Sequence, residues 1–192
     1  MKKKAWSIST REMVFCALFA ALVAAGAFIR IPLPGVPFTL QTTFVTLAGL
    51  LLGRRLGAIS VGVYLLVGLV GIPVFTQGGG PSYIFQPTFG YLMGFCLGAY
   101  LTGRIAEKSR AGFGSDLVAS LVGLAAVYAL GTVYYYLIVH YYLGQAVGAR
   151  ALLVTCCLMT LPGDLFSCAL CAAVARRLRA ALGARAFSRP TR

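Results

Sequence analysis

Long apolar runs alternate along this chain with short polar or Gly/Pro-rich breaks, and the breaks define the elements. The apolar runs cover 12–30, 39–53, 56–72, 87–103, 116–142 and 162–176, with a basic tail over 177–192. Most approach the ~20 residues a helix needs to cross a hydrocarbon core, and some are shorter. The pattern predicts an all-α integral membrane protein, a single membrane domain over 1–192 with six transmembrane helices.

The breaks differ in kind. Residues 30–38 hold Pro32, Pro34 and Pro37 with Gly35, so no helix continues through them and a structured loop is expected between the first two spans. Residues 73–87 combine Gln77-Gly78-Gly79-Gly80-Pro81 with Phe75, Tyr83, Phe85 and Gln86. Glycines let such a loop fold closely over a ligand, and its rings can stack on one or seal it in. A flexible connector is the other reading, although linkers seldom carry so many large rings. Within the helices, Ala17, Ala21 and Ala25 of the first span and Gly90, Gly94 and Gly98 of the fourth recur every four residues, giving smooth faces for close helix packing. For the first span, the spacing leaves open whether that face meets a partner or the chain's own helices. Of Tyr134, Tyr135 and Tyr136, at least one must face inward.

Composition fixes the class. With 59% hydrophobic and 11% charged residues and a mean hydropathy of +0.86, the chain lies far from soluble domains. A net charge of +13 invites a nucleic-acid reading. The basic residues, however, sit between apolar runs, where they set topology. With Lys2, Lys3 and Lys4 inside and Trp6 as an interfacial anchor, every Lys and Arg except Arg30 and Arg150 falls on the cytoplasmic side. Both termini are therefore expected in the cytoplasm, and loops 1–2 and 3–4 on the outer side with the start of the last helix. Irregular backbone at membrane depth persists only where it is buried or lines a cavity, so these three segments predict a binding cavity open to the outside. A signal peptide is disfavoured, because the first run is long and no polar domain follows it. The six cysteines lie within apolar runs and read as packing residues, Cys168 and Cys171 alone making a weak metal motif. His140 reads as interfacial. No metal and no cofactor is expected.

Candidate chemistry concentrates in Thr160-Leu161-Pro162-Gly163-Asp164-Leu165-Phe166-Ser167. Of the four acidic residues, Glu12, Glu107 and Asp116 stand at the ends of apolar runs, within reach of water or headgroups. Asp164 alone follows a long apolar stretch, and an ionisable group there marks a ligand site or pathway. Pro162 can open a helix, which would put Asp164 in its first turn and aim free backbone N–H groups and a carboxylate at one point. A plain helix cap near the interface is the alternative. No Gly-x-x-x-x-Gly-Lys-Ser/Thr, His-Glu-x-x-His or Gly-x-Ser-x-Gly motif occurs, and the missing catalytic constellation argues against an enzyme. One buried acid without a second acid or a cation also lacks the relay of an ion-coupled carrier, so energy for active transport is expected from another subunit.

Ordered matches then span nearly the whole chain: Ile31-Pro32-Leu33-Pro34-Gly35-Val36-Pro37-Phe38-Thr39-Leu40-Gln41-Thr42, Leu50-Leu51-Leu52-Gly53-Arg54-Arg55-Leu56-Gly57-Ala58, Gly71-Ile72-Pro73-Val74-Phe75, Pro87-Thr88-Phe89-Gly90-Tyr91-Leu92 and Leu161-Pro162-Gly163-Asp164-Leu165. With these the chain resembles the BioY family, the biotin-specific substrate-binding (S) components of energy-coupling factor (ECF) transporters. The resemblance implies a multi-pass, six-helix protein of the bacterial cytoplasmic membrane that binds biotin from outside as transported substrate. It also implies docking on a transmembrane coupling subunit driven by two cytoplasmic ATPases, with Ala17 and Ala21 at the family's coupling contact, and no nucleic-acid partner. The family pattern continues Pro-Gly-Asp-x-x-Lys. Here that position is Ser167, which shares a helix face with Asp164 and can donate a hydrogen bond but no charge. The expected biotin contacts are Asp164 for the ureido N–H groups, Phe75, Tyr83 or Tyr91 for the fused rings, and Gln86 or loop N–H groups for the carboxylate. Ser167, Gln41 and Thr42 complete the set. A solitary carrier working without ATPases is the nearest alternative, and a small membrane enzyme or assembly factor the next.

Overall fold

A computed structural model describes residues 8–34, 36–109, 112–145 and 148–182. Lys2, Lys3, Lys4, Trp6, Gly35, Arg110 and the tail beyond residue 182 lie outside the described residues. Helix α1 (Thr10–Phe28) starts at a capping box, in which Ser9 and Glu12 exchange side-chain and backbone hydrogen bonds. The Pro-rich loop then forms a small antiparallel hairpin, β1 (Arg30–Ile31) against β2 (Phe38–Thr39).

Helix α2 (Gln41–Leu69) is broken at Gly53, whose φ of 82° and ψ of −179° are not helical. The chain doubles back there. A Cβ on Gly57 would lie 3.0 Å from the Ala48 carbonyl oxygen, and Gln41 reaches Tyr64, contacts impossible along one straight helix. The short basic break expected at Gly53-Arg54-Arg55 is thus a reversal at one residue. Glycine is required at it, because a side chain would be strained at that φ and would meet Glu107 Oε1 at 2.4 Å. Glu107 in turn accepts from the Arg54 backbone N–H at 2.8 Å and pairs with its guanidinium at 3.3 Å, satisfying the start of the returning limb.

The Gly-rich loop closes with a 3₁₀ turn (Pro81–Phe85) before α3 (Phe89–Lys108). Helix α4 (Phe113–Leu137) continues into a π-helical turn at Ile138–Tyr142. Helix α5 (Ala149–Leu153) leads through a second π-helical turn (Val154–Leu158) into α6 (Leu161–Leu182). Among the described residues four helical runs are long and apolar enough to cross a membrane: Thr10–Phe28, Gln41–Leu69, Phe113–Tyr142 and Arg150–Ala181. The chain is an all-helical, multi-pass membrane protein apart from the short hairpin.

Helix α3 is not one of those four, and its neighbours explain why it tolerates a less apolar sequence. It lies between α2 and α4. On the α4 side, a Cβ at Gly90, Gly94 or Gly98 would fall 2.2 Å from Tyr134 Cβ, 3.0 Å from the Val127 backbone and 2.7 Å from Val127 Cγ2. On the α2 side, Gly49 meets the Ala99 carbonyl and Gly103 meets the Arg54 backbone. The glycine repeat is therefore an internal packing face, as its spacing predicts.

Two buried clusters make the core. One, with Val23, Tyr64, Phe75, Tyr83, Tyr91, Phe95 and Val127, lies at the hairpin end. The other, with Cys16, Phe19, Ala48, Leu50–Leu52, Ala119 and Ala175, fills the opposite end. Two expectations are corrected there and at α6. Asp116 is not solvated at a helix end: it is fully buried and bound by Arg179. Asp164 does not present a free backbone N–H either. The apolar lead-in from residue 150 is already helical, so the Asp164 N–H is spent on the Thr160 carbonyl at 3.0 Å.

Candidate ligand-binding site

A cavity of about 50 Å³ lies where the hairpin, the Gly-rich loop and the starts of α2, α3 and α6 meet the middle of α4. Its polar lining is Thr39, Gln41, Thr42, Thr76, Tyr83, Thr88, Tyr91, Tyr128, Thr160 and Asp164, and its apolar walls include Val36, Phe38, Phe95 and Val127. Among the described residues, no Lys, Arg or His lines it.

Local sequence explains how the pieces come together. Gly163 precedes Asp164 because Phe38 of β2 packs on it: a Cβ there would lie 2.5 Å from Phe38 Cε2. The Pro-Gly-Asp stretch is thus where the hairpin presses on α6. Gly131 gives Tyr91 its place in the same way, a Cβ falling 2.5 Å from the ring. The Tyr91 hydroxyl donates to the Cys156 carbonyl at 2.7 Å, and Gln41 Nε2 donates to the Tyr64 hydroxyl at 2.7 Å. Thr76 and Tyr83 join hydroxyls at 3.0 Å, and Arg30 donates from β1 to the Thr76 carbonyl, tying the two irregular segments together.

Asp164 is 6% exposed. Its Oδ2 accepts from the Tyr128 hydroxyl at 2.6 Å, and the Tyr128 oxygen lies 2.8 Å from Thr160 Oγ1. Its Oδ1 is buried with no hydrogen-bond partner, as is Thr88 Oγ1 on the facing start of α3. Buried polar atoms are normally paired, so these two define what a ligand should supply: a donor for the carboxylate and a polar group for the threonine. With aromatic and aliphatic walls between them, the arrangement suits a largely apolar, ring-containing molecule carrying N–H groups.

Of the residues expected from sequence, Asp164, Tyr91, Tyr83, Gln41 and Thr42 line the cavity together. Phe75 does not. It is buried behind Tyr83, ring centroids 4.5 Å apart, and fills the space left by Gly68. Gln86 and Ser167 also lie off the lining, Gln86 half-buried and Ser167 only 4% exposed. Tyr128, Thr160, Thr88 and Thr76 were not anticipated. Thr160 stands in the stretch already singled out by Asp164, whereas Tyr128 is one tyrosine among many in an apolar span and has no distinguishing neighbour. Tyr134 and Tyr135 both pack on the core, and Tyr136 stacks on exposed His140. On α1, Ala17, Ala21 and Ala25 face outward while Ala20 is buried.

Comparison with known proteins identifies the family of the chain. A protein of Lysinibacillus sphaericus named a probable biotin transporter BioY is 51% identical over 141 residues, 71% of this chain and 70% of its own. The biotin transporter BioY of Rhodobacter capsulatus is 35% identical over 176 residues, 88% of this chain and 93% of its own. Among solved structures, the S-component for biotin from an ECF-type ABC transporter superposes with a TM-score of 0.79 at 26% identity, covering 91% of this chain and 95% of the other. Residues 1–184 match the BioY family, and the chain belongs to it.

Proposed function

We propose that this chain captures biotin as the S component of an ECF transporter and that the cavity at Asp164 is its biotin site. The observation that carries the reading is the buried, unpartnered Oδ1 of Asp164, a residue of the lining of a cavity walled by tyrosines, in a chain of this family. The ureido ring of biotin supplies the N–H donors this oxygen lacks, and its fused rings suit the faces of Tyr83 and Tyr91. Thr88 at the start of α3, whose hydroxyl is buried without a partner, receives the polar far end of the molecule, because among the described residues no basic side chain lines the cavity. Binding and transport, not catalysis, is the activity.

The finer topology belongs to the same proposal. Counting the two limbs of α2 separately and α3 as a span gives six crossings of one membrane domain. Both termini then lie in the cytoplasm of a bacterial cell and the cavity faces outward. The basic residues support this orientation, since Arg54, Arg104, Lys108, Arg176 and Arg177 fall at the end away from the cavity. The exposed face of Ala17 and Ala21 is offered to the transmembrane coupling subunit, itself driven by two ATPases. Titration calorimetry of biotin into the detergent-purified chain tests the site. Saturable binding is expected in the parent and a loss of at least ~10-fold in Asp164→Ala. A folded parent that binds no biotin would end the assignment.

A further inference from the structure

We infer that Tyr128 is the positioning residue of this site, holding one oxygen of Asp164 so that the other is presented to the ligand. The inference rests on the biotin reading above and deepens it. Proton counting fixes the direction of the hydrogen bonds. A carboxylate only accepts, so the single phenolic proton of Tyr128 is committed to Oδ2 at 2.6 Å. The 2.8 Å contact between Tyr128 and Thr160 must then run from the threonine, whose one proton goes to the phenol oxygen and not to the Cys157 carbonyl at 3.4 Å. The result is an ordered chain, Thr160 to Tyr128 to Asp164, in which each bond polarises the next.

The ring is held as firmly as the hydroxyl. Tyr91 meets Tyr128 edge-on, with centroids 6.3 Å apart at 87°, and is itself pinned through its bond to the Cys156 carbonyl. This support matters because of what surrounds the carboxylate. No basic side chain lines the cavity among the described residues, and Ser167, one turn along α6, is buried off the lining. A buried carboxylate without a cation depends on hydrogen bonds for its charge; Tyr128 supplies a short one at 2.6 Å, and the Thr42 hydroxyl stands nearby as a weaker second donor. With Oδ2 occupied, Oδ1 is the acceptor left for a ligand N–H.

Biotin and an analogue methylated on its ureido nitrogens, measured by calorimetry on the parent, Tyr128→Phe and Thr160→Val, separate this role from simple packing. Phenylalanine keeps the ring against Tyr91 and removes only the donor. Biotin binding is expected to weaken roughly 10- to 100-fold in Tyr128→Phe, while the methylated analogue, which gives Oδ1 no proton, changes little, so the preference for biotin collapses. Thr160→Val, which leaves Tyr128 in place, is expected to reduce the same preference by a smaller factor, and Thr160→Ser to restore it. Equal losses for both ligands, or an unchanged preference in both Tyr128→Phe and Thr160→Val, would overturn the positioning role and leave the biotin site standing. If Tyr128→Phe does not fold, Thr160→Val against Thr160→Ser decides. Failure of the parent to bind biotin overturns the site and this role together.

Discussion

Arg179 grips Asp116 with both terminal nitrogens of its guanidinium, at 2.8 and 3.1 Å, across 63 residues of sequence, and turns the second nitrogen also to the Leu50 carbonyl at 3.1 Å. One side chain of α6 thereby joins α4 and the first limb of α2 at the end of the bundle away from the cavity. Asp116 has no exposure of its own.

Removing the cation should therefore be far worse than removing the pair. Arg179→Ala leaves an uncompensated buried carboxylate and is expected to cost about 3–5 kcal/mol, whereas Asp116→Leu combined with Arg179→Met should come within about 1–2 kcal/mol of the parent. Thermal unfolding of the purified variants in detergent checks this. Similar losses in the single and double variants would mean that packing at α6, and not charge, is what the pair maintains.

Gly90→Ala should separate α3 from α4. Its Cβ would lie 2.2 Å from Tyr134 Cβ and 3.1 Å from the Leu130 carbonyl, neither the far end of a flexible side chain. A destabilisation of about 1–3 kcal/mol is expected, with weaker biotin binding because Thr88 and Tyr91 flank the displaced turn. Gly62→Ala is the control: nothing lies within 4 Å of its Cβ, and alanine suits a helix better than glycine. Thermal unfolding should leave Gly62→Ala unchanged or slightly raised.

Arg30 binds the Thr76 carbonyl from an exposed position and ties the hairpin to the Gly-rich loop, both of which line the cavity. Arg30→Ala should speed biotin dissociation about 2- to 10-fold with no change in unfolding temperature, since one exposed hydrogen bond holds the loops and not the core. Stopped-flow or filter-binding release rates report it. An unchanged rate would mean that these loops stay together without the tie.

What the sequence made legible follows from how each feature is encoded. Asp164 was visible because an acid in apolar surroundings has few explanations, and the Gly90-Gly94-Gly98 face because helical periodicity writes close packing directly into residue choice. The break at Gly53 was visible as a break. Its compression to one residue was not, because the partner that makes it possible, Glu107, lies far along the chain. Asp116 and Arg179 each resemble ordinary end-of-helix charges, and only the fold brings them together. Tyr128 is hidden for the same reason: its role depends on Thr160 and Asp164 being opposite it, and nothing near it in sequence says so. The Pro162-Gly163 pair marks the start of α6 to within one residue but hides the helical turns that lead into it, which take up the Asp164 N–H. Proline lacks a donor but is tolerated near the start of a helix, and the turns before it already supply the helical path.

The reversal at Gly53 also acts as a length gauge. A turn of one residue has no slack, so the two limbs of α2 cannot slide past each other without pulling Glu107 off the Arg54 N–H at one end and Gln41 off Tyr64 at the other. Gln41 lines the cavity, and its height on the cavity wall is thus set by a glycine at the opposite end of the paired limbs of α2. An insertion of even one residue beside Gly53 would shift a polar group of the binding site without touching any residue near it.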